Sequence, residues 1–293
     1  MSKKLILALC ALATLLTGAK CSREHVHSVE MMNQCVEYHR RKLFPQAIRD
    51  CNKAVSLDPE NEKAHHNLAI VYIETKEYEQ AAHHLQQAIS LTGDISMYYY
   101  QLGEVYQWMK QWERAEQAFL KSVELEPGLY KAHYRLGVVY AAMDQPQKAM
   151  QKFTDAINAN GKFFDAYREL GSLYLDYDFV PQAEQVFKEG INALVGRGDE
   201  LAVLHSRLGA VYSEKKEHDA AIAEFRKALD LKPDMVDAMF SLGWSYSFVN
   251  VENAKIWLQR FVESATKDTP PDYLGAAQAR LMEIELGSPI HDQ

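Results

Sequence analysis

The sequence predicts an all-α protein built from stacked helical hairpins, and three observations carry that prediction. Tyrosines stand at 38, 72, 106, 140 and 174, each 34 residues apart, and the interval returns between Tyr212 and Tyr246 after one step of 38. Three residues before each tyrosine is a small residue: Cys35, Ala69, Gly103, Gly137, Gly171, Gly209 and Gly243. Nine residues after it come Ala47, Ala81, Ala115, Ala149, Ala183 and Ala221, and thirteen after it Cys51, Leu85, Phe119, Phe153, Phe187 and Phe225. Columns held in register from residue 34 to residue 246 mark an internal repeat.

The N-terminus reads differently from the rest. Ser2-Lys3-Lys4 is short and basic, Leu5–Leu16 is a nearly unbroken apolar run, and Thr17-Gly18-Ala19 is small. That order is the pattern of a bacterial secretory signal, assigned to residues 1–20. The run is too short to cross a bilayer as a helix, and no later segment is long and apolar enough to be expected to span one. Two cleavage patterns fit. Cys21 lies at about the distance of the lipidated cysteine of a bacterial lipoprotein, with Lys20 where that signal has a small residue; Ser22 behind it resembles outer-membrane sorting. Cleavage after Ala19 instead leaves a soluble periplasmic or secreted chain. Residues 21–27 are expected to be a tether.

Within each repeat, a leucine one residue before the small residue (Leu68, Leu102, Leu136, Leu170, Leu208 and Leu242, with Gln34 the exception) joins it and the tyrosine in one stripe. The spacing is that of a helix face. The alanine and the large apolar residue four later form the stripe of a second helix, and the small residues admit close approach of the two axes. Asp58-Pro59, Gly93, Glu126-Pro127, Asn160-Gly161 and Lys232-Pro233 stop helices between hairpins. Pro45, Pro146 and Pro181 fall where second helices begin, a place that tolerates proline. Repeats are assigned to 28–61, 62–95, 96–129, 130–163, 164–201, 202–235 and 236–269. The fifth carries four extra residues in the segment Leu194–Leu201, read as a loop, and the seventh has lost about one residue in its turn. Pro270-Pro271 opens a final helix over Asp272–Leu286, in which Ala276, Ala277, Leu281 and Ile284 are placed to cap the last hairpin; the segment 270–293 is capping helix and tail.

These columns resemble the tetratricopeptide repeat (TPR) family. The resemblance implies a right-handed superhelix, an α-solenoid, of about seven hairpins plus the cap. It also implies that partners bind on an inner face formed by residues six and two before each tyrosine. The first set is Met32, His66, Tyr100, Tyr134, Arg168, Ser206 and Phe240; the second is Val36, Ile70, Glu104, Val138, Ser172, Ala210 and Trp244. Only Arg168 is basic, so the carboxylate clamp of chaperone-tail binders is absent. Apolar and aromatic residues predominate, which suits an apolar or amphipathic peptide, a partner's helix, or the chain's own N-terminal segment. Tyr100, Tyr134, Phe240 and Trp244 are expected to be open, and the tyrosine and phenylalanine columns to be core.

Composition narrows the function classes. The chain has 293 residues, 47% hydrophobic, with 32 basic and 40 acidic side chains for a net charge of −8. Loss of residues 1–20 removes Lys3, Lys4 and Lys20 and no acid, which takes the charge to −11. Such a balance argues against nucleic acid as a partner and against electrostatic attraction to anionic lipid. No nucleophile elbow, phosphate loop, HExxH or EF-hand pattern occurs, so neither an enzyme nor a cofactor is expected. His25-Val26-His27, His65-His66 and His83-His84 are read as ordinary surface and groove histidines rather than metal ligands, and Arg197-Gly198-Asp199 as part of the insertion rather than an adhesion motif. Cys35 and Cys51 sit on inner stripes of one hairpin. They are either core thiols or, in an oxidising compartment, a disulfide; being about one turn out of register puts their Cα atoms near the permitted limit.

The expected function is a non-enzymatic protein–protein scaffold of the bacterial envelope, held at the outer membrane through Cys21 if that residue is lipidated. A narrower version resembles the TPR lipoproteins that act as pilotins for the type IV pilus secretin; another is an adaptor for peptidoglycan hydrolases.

Overall fold

A computed structural model of the chain describes residues 23–267 and 269–287. The expected signal peptide, Lys20 and Cys21 lie outside the described residues, as does the tail from 288 to 293. Among the described residues there are fifteen helices and no strand. The chain divides into two compact units, residues 1–149 and 150–293.

The first unit holds α1 (Arg23–Arg40), α2 (Phe44–Leu57), α3 (Glu62–Glu74), α4 (Tyr78–Thr92), α5 (Ser96–Trp108), α6 (Trp112–Leu125) and α7 (Tyr130–Ala142), and the start of α8 (Pro146–Ala159). Each of α1 to α6 packs on the next, and first helices also meet one hairpin on, α1 with α3 and α5 with α7. The second unit holds the rest of α8, then α9 (Phe164–Asp176), α10 (Val180–Ala193), α11 (Gly198–Glu214), α12 (His218–Leu231), α13 (Val236–Tyr246), α14 (Val251–Ser264) and α15 (Pro271–Glu285), packed in the same consecutive way from α9 onward.

The repeat columns explain the packing. Leu68, Leu85, Phe119 and Leu136 are fully buried in the first unit, as are Phe187, Leu242, Leu258 and Phe261 in the second. Burying each such side chain contributes about 1.5–3 kcal/mol. The small column is small because the second helix's aromatic ring lies against it. A Cβ on Gly103 would stand 2.6 Å from the Phe119 ring, and one on Gly209 2.8 Å from the Phe225 ring. The tyrosine column is only partly core: Tyr72, Tyr106, Tyr140 and Tyr246 are buried, while Tyr38, Tyr174 and Tyr212 are half-buried. A phenol can bury its ring and keep its hydroxyl at a polar edge.

Each hairpin turn repeats one motif. The residue five after the tyrosine donates its N–H to the tyrosine carbonyl, as in Glu77 to Tyr72 at 2.8 Å and Gln111 to Tyr106 at 2.9 Å. The residue before it takes positive φ: Lys42, Lys76, Lys110, Asp144, Asp178 and Lys216, at 56–63°. This closes the helix end in a left-handed cap that usually carries glycine. The seventh hairpin lacks it. Asn250 has φ −151° and caps α14 by accepting the Asn253 N–H, so the turn closes with one residue fewer. A side chain at positive φ costs about 1–2 kcal/mol, partly offset by the extra freedom glycine gives the unfolded chain. Lys110→Gly, at an exposed position, is therefore expected to stabilise the protein by about 0.5–1 kcal/mol in denaturant titration.

Turns between hairpins are anchored by a second column that the sequence reading did not single out, seven residues before the tyrosine. His65 Nε2 meets the Pro59 carbonyl at 3.1 Å, His133 Nε2 the Pro127 carbonyl at 2.9 Å, and the Tyr167 hydroxyl the Gly161 carbonyl at 3.1 Å. In each case the acceptor is six residues earlier.

Three expectations are corrected. Residues 23–27 are not a tether but the first turns of α1. Val26 and Ser28 are buried, His25 bonds Asp58, and the Ser28 hydroxyl donates to the Ala54 carbonyl at 2.7 Å. The four extra residues of the fifth repeat do not make a long loop. They lengthen α11 to 17 residues where α9 has 13, because four residues are close to one helical turn and leave the apolar stripe in register. Arg197 is the N-cap of α11, followed by Gly198 and Asp199 in the helix. Finally, Cys35 and Cys51 form a disulfide between α1 and α2 with Cα atoms 5.3 Å apart. That separation is well inside the permitted range rather than at its limit, because both positions lie where the two helices approach closely.

Candidate functional site

In the first unit the residues expected on the inner face come from α1, α3, α5 and α7. Met32, Tyr134 and Val138 are half-buried and retain open surface. His66 stacks on Tyr98 at 4.5 Å and its Nε2 donates to Gln101 Oε1 at 2.8 Å, and burial lowers its pKa, so it sits neutral. Tyr100 is not the open anchor that was expected. It is only 9% exposed; its ring packs on Phe119 and its hydroxyl donates to Glu104 at 3.0 Å. Burial, then the Glu104 charge, pushes the Tyr100 phenol up to about 12. Arg135 from α7 pairs with the same carboxylate at 2.9 Å. Glu104 is thereby neutralised, and this part of the face offers a ligand neither a free acid nor a free tyrosine.

In the second unit Arg168 is held by its own helix, with Asp165 at 3.2 Å and Glu169 at 2.7 Å, and lies over the Phe164 ring. The two aromatic members of the set in this unit, Phe240 and Trp244, meet the final helix. Phe240 stacks on Tyr273 of α15 with centroids 4.8 Å apart, and the Arg280 guanidinium lies 5.1 Å over the Trp244 indole. Phe240 and Trp244 are therefore not freely available to a partner. Trp244 is 36% exposed and keeps some open surface. A segment of the chain's own, the C-terminal helix α15, lies against this face. Arg280 anchors it: 7% exposed, it donates to the Ser247 hydroxyl and pairs with Glu283. The sequence reading named the apolar residues of the cap, and Ala277, Leu281 and Ile284 do pack on the last hairpin; a buried arginine carries no periodic signal to find it by. Beside Tyr273 a cavity of about 300 Å³ remains, with Ser206 and Ala210 of the expected columns in its wall, Val203, Phe225, Met235 and Ser241 around them, and Arg207 and Asp237 at an exposed rim.

The histidines of the second repeat form a defined pair. His65 Nε2 donates to the Pro59 carbonyl, so its Nδ1 is an acceptor and receives the His84 Nδ1–H at 3.0 Å. The His65 ring must then be neutral. His84 also stacks on Tyr72 and meets His83 edge-on. Burial, then the neighbouring His65 and His83, lowers the His84 pKa to about 4. A neutral form favoured in the folded state means that stability is fully present above the ordinary value of 6.5 and falls as the pH drops toward 4. Thermal melts are expected to fall between pH 7 and pH 4.5, and His84→Gln to flatten that part of the profile. Among the described residues no group of three histidine, cysteine or acidic side chains could hold a metal ion, and no helix is long and apolar enough to cross a membrane.

Consecutive packed hairpins with a cavity on the first-helix side define a repeat scaffold of the interaction type. Models of the tetratricopeptide repeat match residues 40–102, 98–128, 131–161 and 202–235, and the chain belongs to that family, whose repeats bind protein partners. The comparison with curated proteins gave no match. Among solved structures, the C-terminal part of a TPR repeat-containing protein from Cytophaga hutchinsonii aligns at TM-score 0.69 and 14% identity, covering 83% of this chain and 98% of that one. The pilF protein of Pseudomonas aeruginosa aligns at TM-score 0.56 and 20% identity, covering 74% and 97%. YrrB, described as a TPR protein with an unusual peptide-binding site, aligns at 0.52 and 23%, covering 64% and 95%. At these identities the likeness is one of fold.

Proposed function

We propose that this protein is a non-enzymatic scaffold exported across a bacterial inner membrane, held at the outer membrane through Cys21, and that it binds an extended segment or helix of an envelope protein. The observation that carries the binding reading is the cavity of about 300 Å³ in the second unit, whose wall mixes apolar Val203, Ala210, Phe225 and Met235 with the hydroxyls of Ser206 and Ser241 below a rim of one arginine and one aspartate. That combination suits one large apolar side chain with polar backbone around it. The apolar run before Cys21 motivates the location. A pilotin role toward a type IV pilus secretin is the narrower reading, supported by the same kind of leader and a pilF-like fold; a hydrolase adaptor is the alternative.

Affinity capture from detergent-solubilised membranes tests it. Ala210→Trp fills the cavity from its first-helix wall, and is expected to lose the partner that wild type retains while melting normally. Equal capture by both would remove the cavity from the binding site. Intact mass of the membrane-fraction protein tests the anchor: a diacylglyceryl adduct on an N-terminal Cys21 is expected, and an unmodified chain beginning at Lys20 would overturn it. Secretin and pilin genes beside this one would favour the pilotin reading, and cell-wall hydrolase genes the adaptor.

A further inference from the structure

Two repeats of this chain place a carboxylate beside the column tyrosine. The Tyr140 hydroxyl donates to Glu116 at 2.9 Å, and the Tyr212 hydroxyl points to Glu184 at 3.5 Å. Each glutamate stands ten residues after the tyrosine of the preceding repeat. In the fourth repeat a cation completes the group: Lys148, eight residues after Tyr140, lies 5.1 Å over its ring.

The third repeat has the same cation and tyrosine but not the acid. Arg114, eight residues after Tyr106, lies 4.1 Å over that ring, and the glutamate's register position holds Ala82. Tyr106 is 4% exposed. Its oxygen accepts from Arg114 at 2.6 Å and from the Gln86 amide at 2.8 Å, so its own proton is directed to neither. Arg114 donates otherwise to the Gln111 amide oxygen at 2.7 Å and has no carboxylate partner among the described residues. These groups open on a cavity of about 360 Å³ between α4, α5 and α6, walled also by Tyr99, Leu102 and Gln117. None of its lining residues belongs to the inner-face columns.

We propose that this cavity is a carboxylate site, in which an acid supplied from outside the chain takes the place that Glu116 and Glu184 fill elsewhere. The Arg114 guanidinium supplies the charge and the Tyr106 O–H the second donor, an arrangement in which charge-assisted bonds are the strong ones. Leu102 provides an apolar floor for the carbon chain that bears the acid. The ligand is a carboxylate on a short aliphatic stem, either an acidic side chain of a bound protein or a small free acid. The site is separate from the inner-face binding proposed above and does not depend on it.

Amide spectra of the full chain, titrated with a blocked Ala-Glu-Ala peptide, its glutamine counterpart and acetate, test this. Saturable shifts at Arg114 and Gln117 with the glutamate peptide, and none with the glutamine peptide, are expected. Tighter binding of the peptide than of acetate assigns the site to a protein side chain; the reverse order assigns it to a free acid, and either supports a carboxylate site. Arg114→Gln, at an exposed position, is expected to weaken binding by roughly tenfold or more. Ala82→Glu restores the internal acid and is expected to abolish it, with circular dichroism melts showing that the variant is folded. Equal shifts with the glutamine peptide, or undiminished binding in Arg114→Gln, would overturn the proposal. So would unchanged affinity in Tyr106→Phe, since a Gln86 amide turned to accept the tyrosine proton would leave no second donor.

Discussion

Phe119→Ala is expected to lower stability by about 3–5 kcal/mol, the range for deleting a fully buried aromatic ring. The ring fills the space between α5 and α6 that Gly103 leaves open, and it also supports the buried face of Tyr100. Neither neighbour can close the void, since Gly103 has no side chain to lean in and Tyr100 is tied to Glu104 by its hydroxyl. The loss should appear as a lower midpoint in urea with protection from amide exchange falling first in α5 and α6. A destabilisation under about 1.5 kcal/mol would mean that the hairpin collapses onto the missing ring, against the packing described.

Reducing the Cys35–Cys51 bond is the second large effect. The bond closes a loop with a sequence separation of 16, for which chain entropy gives about 3 kcal/mol. It joins α1 to α2 in the first hairpin of the repeat array, which packs on the next repeat through α3. The Cys35→Ala, Cys51→Ala double variant, and wild type in dithiothreitol, are expected to lose the first hairpin before the rest. Hydrogen exchange should then rise over residues 23–57 while α5 and α6 stay protected. Identical exchange in oxidised and reduced protein would show that the two sulfurs act only as core fillers.

The candidate site was legible in its columns but not in its exposure. Positions six and two before each tyrosine do lie on first helices, yet Tyr100 is buried, Phe240 is stacked by α15 and Arg168 is neutralised on its own helix. Whether a side chain at a given register is open depends on what the next element brings against it: Phe119 for Tyr100, Tyr273 for Phe240. Those partners lie outside the column being read. The same holds for the third-repeat cavity. It becomes visible only when the Arg114–Tyr106 pair is set beside the Lys148–Tyr140–Glu116 group, and that comparison needs the helices in place.

The sequence alone settled the helical hairpin, its repeat length, the small, alanine and large-apolar columns of the core and the family, because a period of 34 with apolar residues three and four apart leaves one way to bury them. It also located the four-residue insertion, though not its form. Tertiary structure decided that the insertion extends α11 by a turn, that lysine and aspartate rather than glycine take the left-handed turn position, that residues 23–27 are helix, that Cys35 and Cys51 are bonded, and that α15 lies against Phe240 and Trp244. The physical reason is one of range. Periodicity reports which face of a helix seeks burial, a property of neighbours along the chain. Distances between sulfurs, the strain a turn tolerates and the burial of an arginine such as Arg280 are set by contacts between residues far apart in sequence, and only the packed helices bring those together.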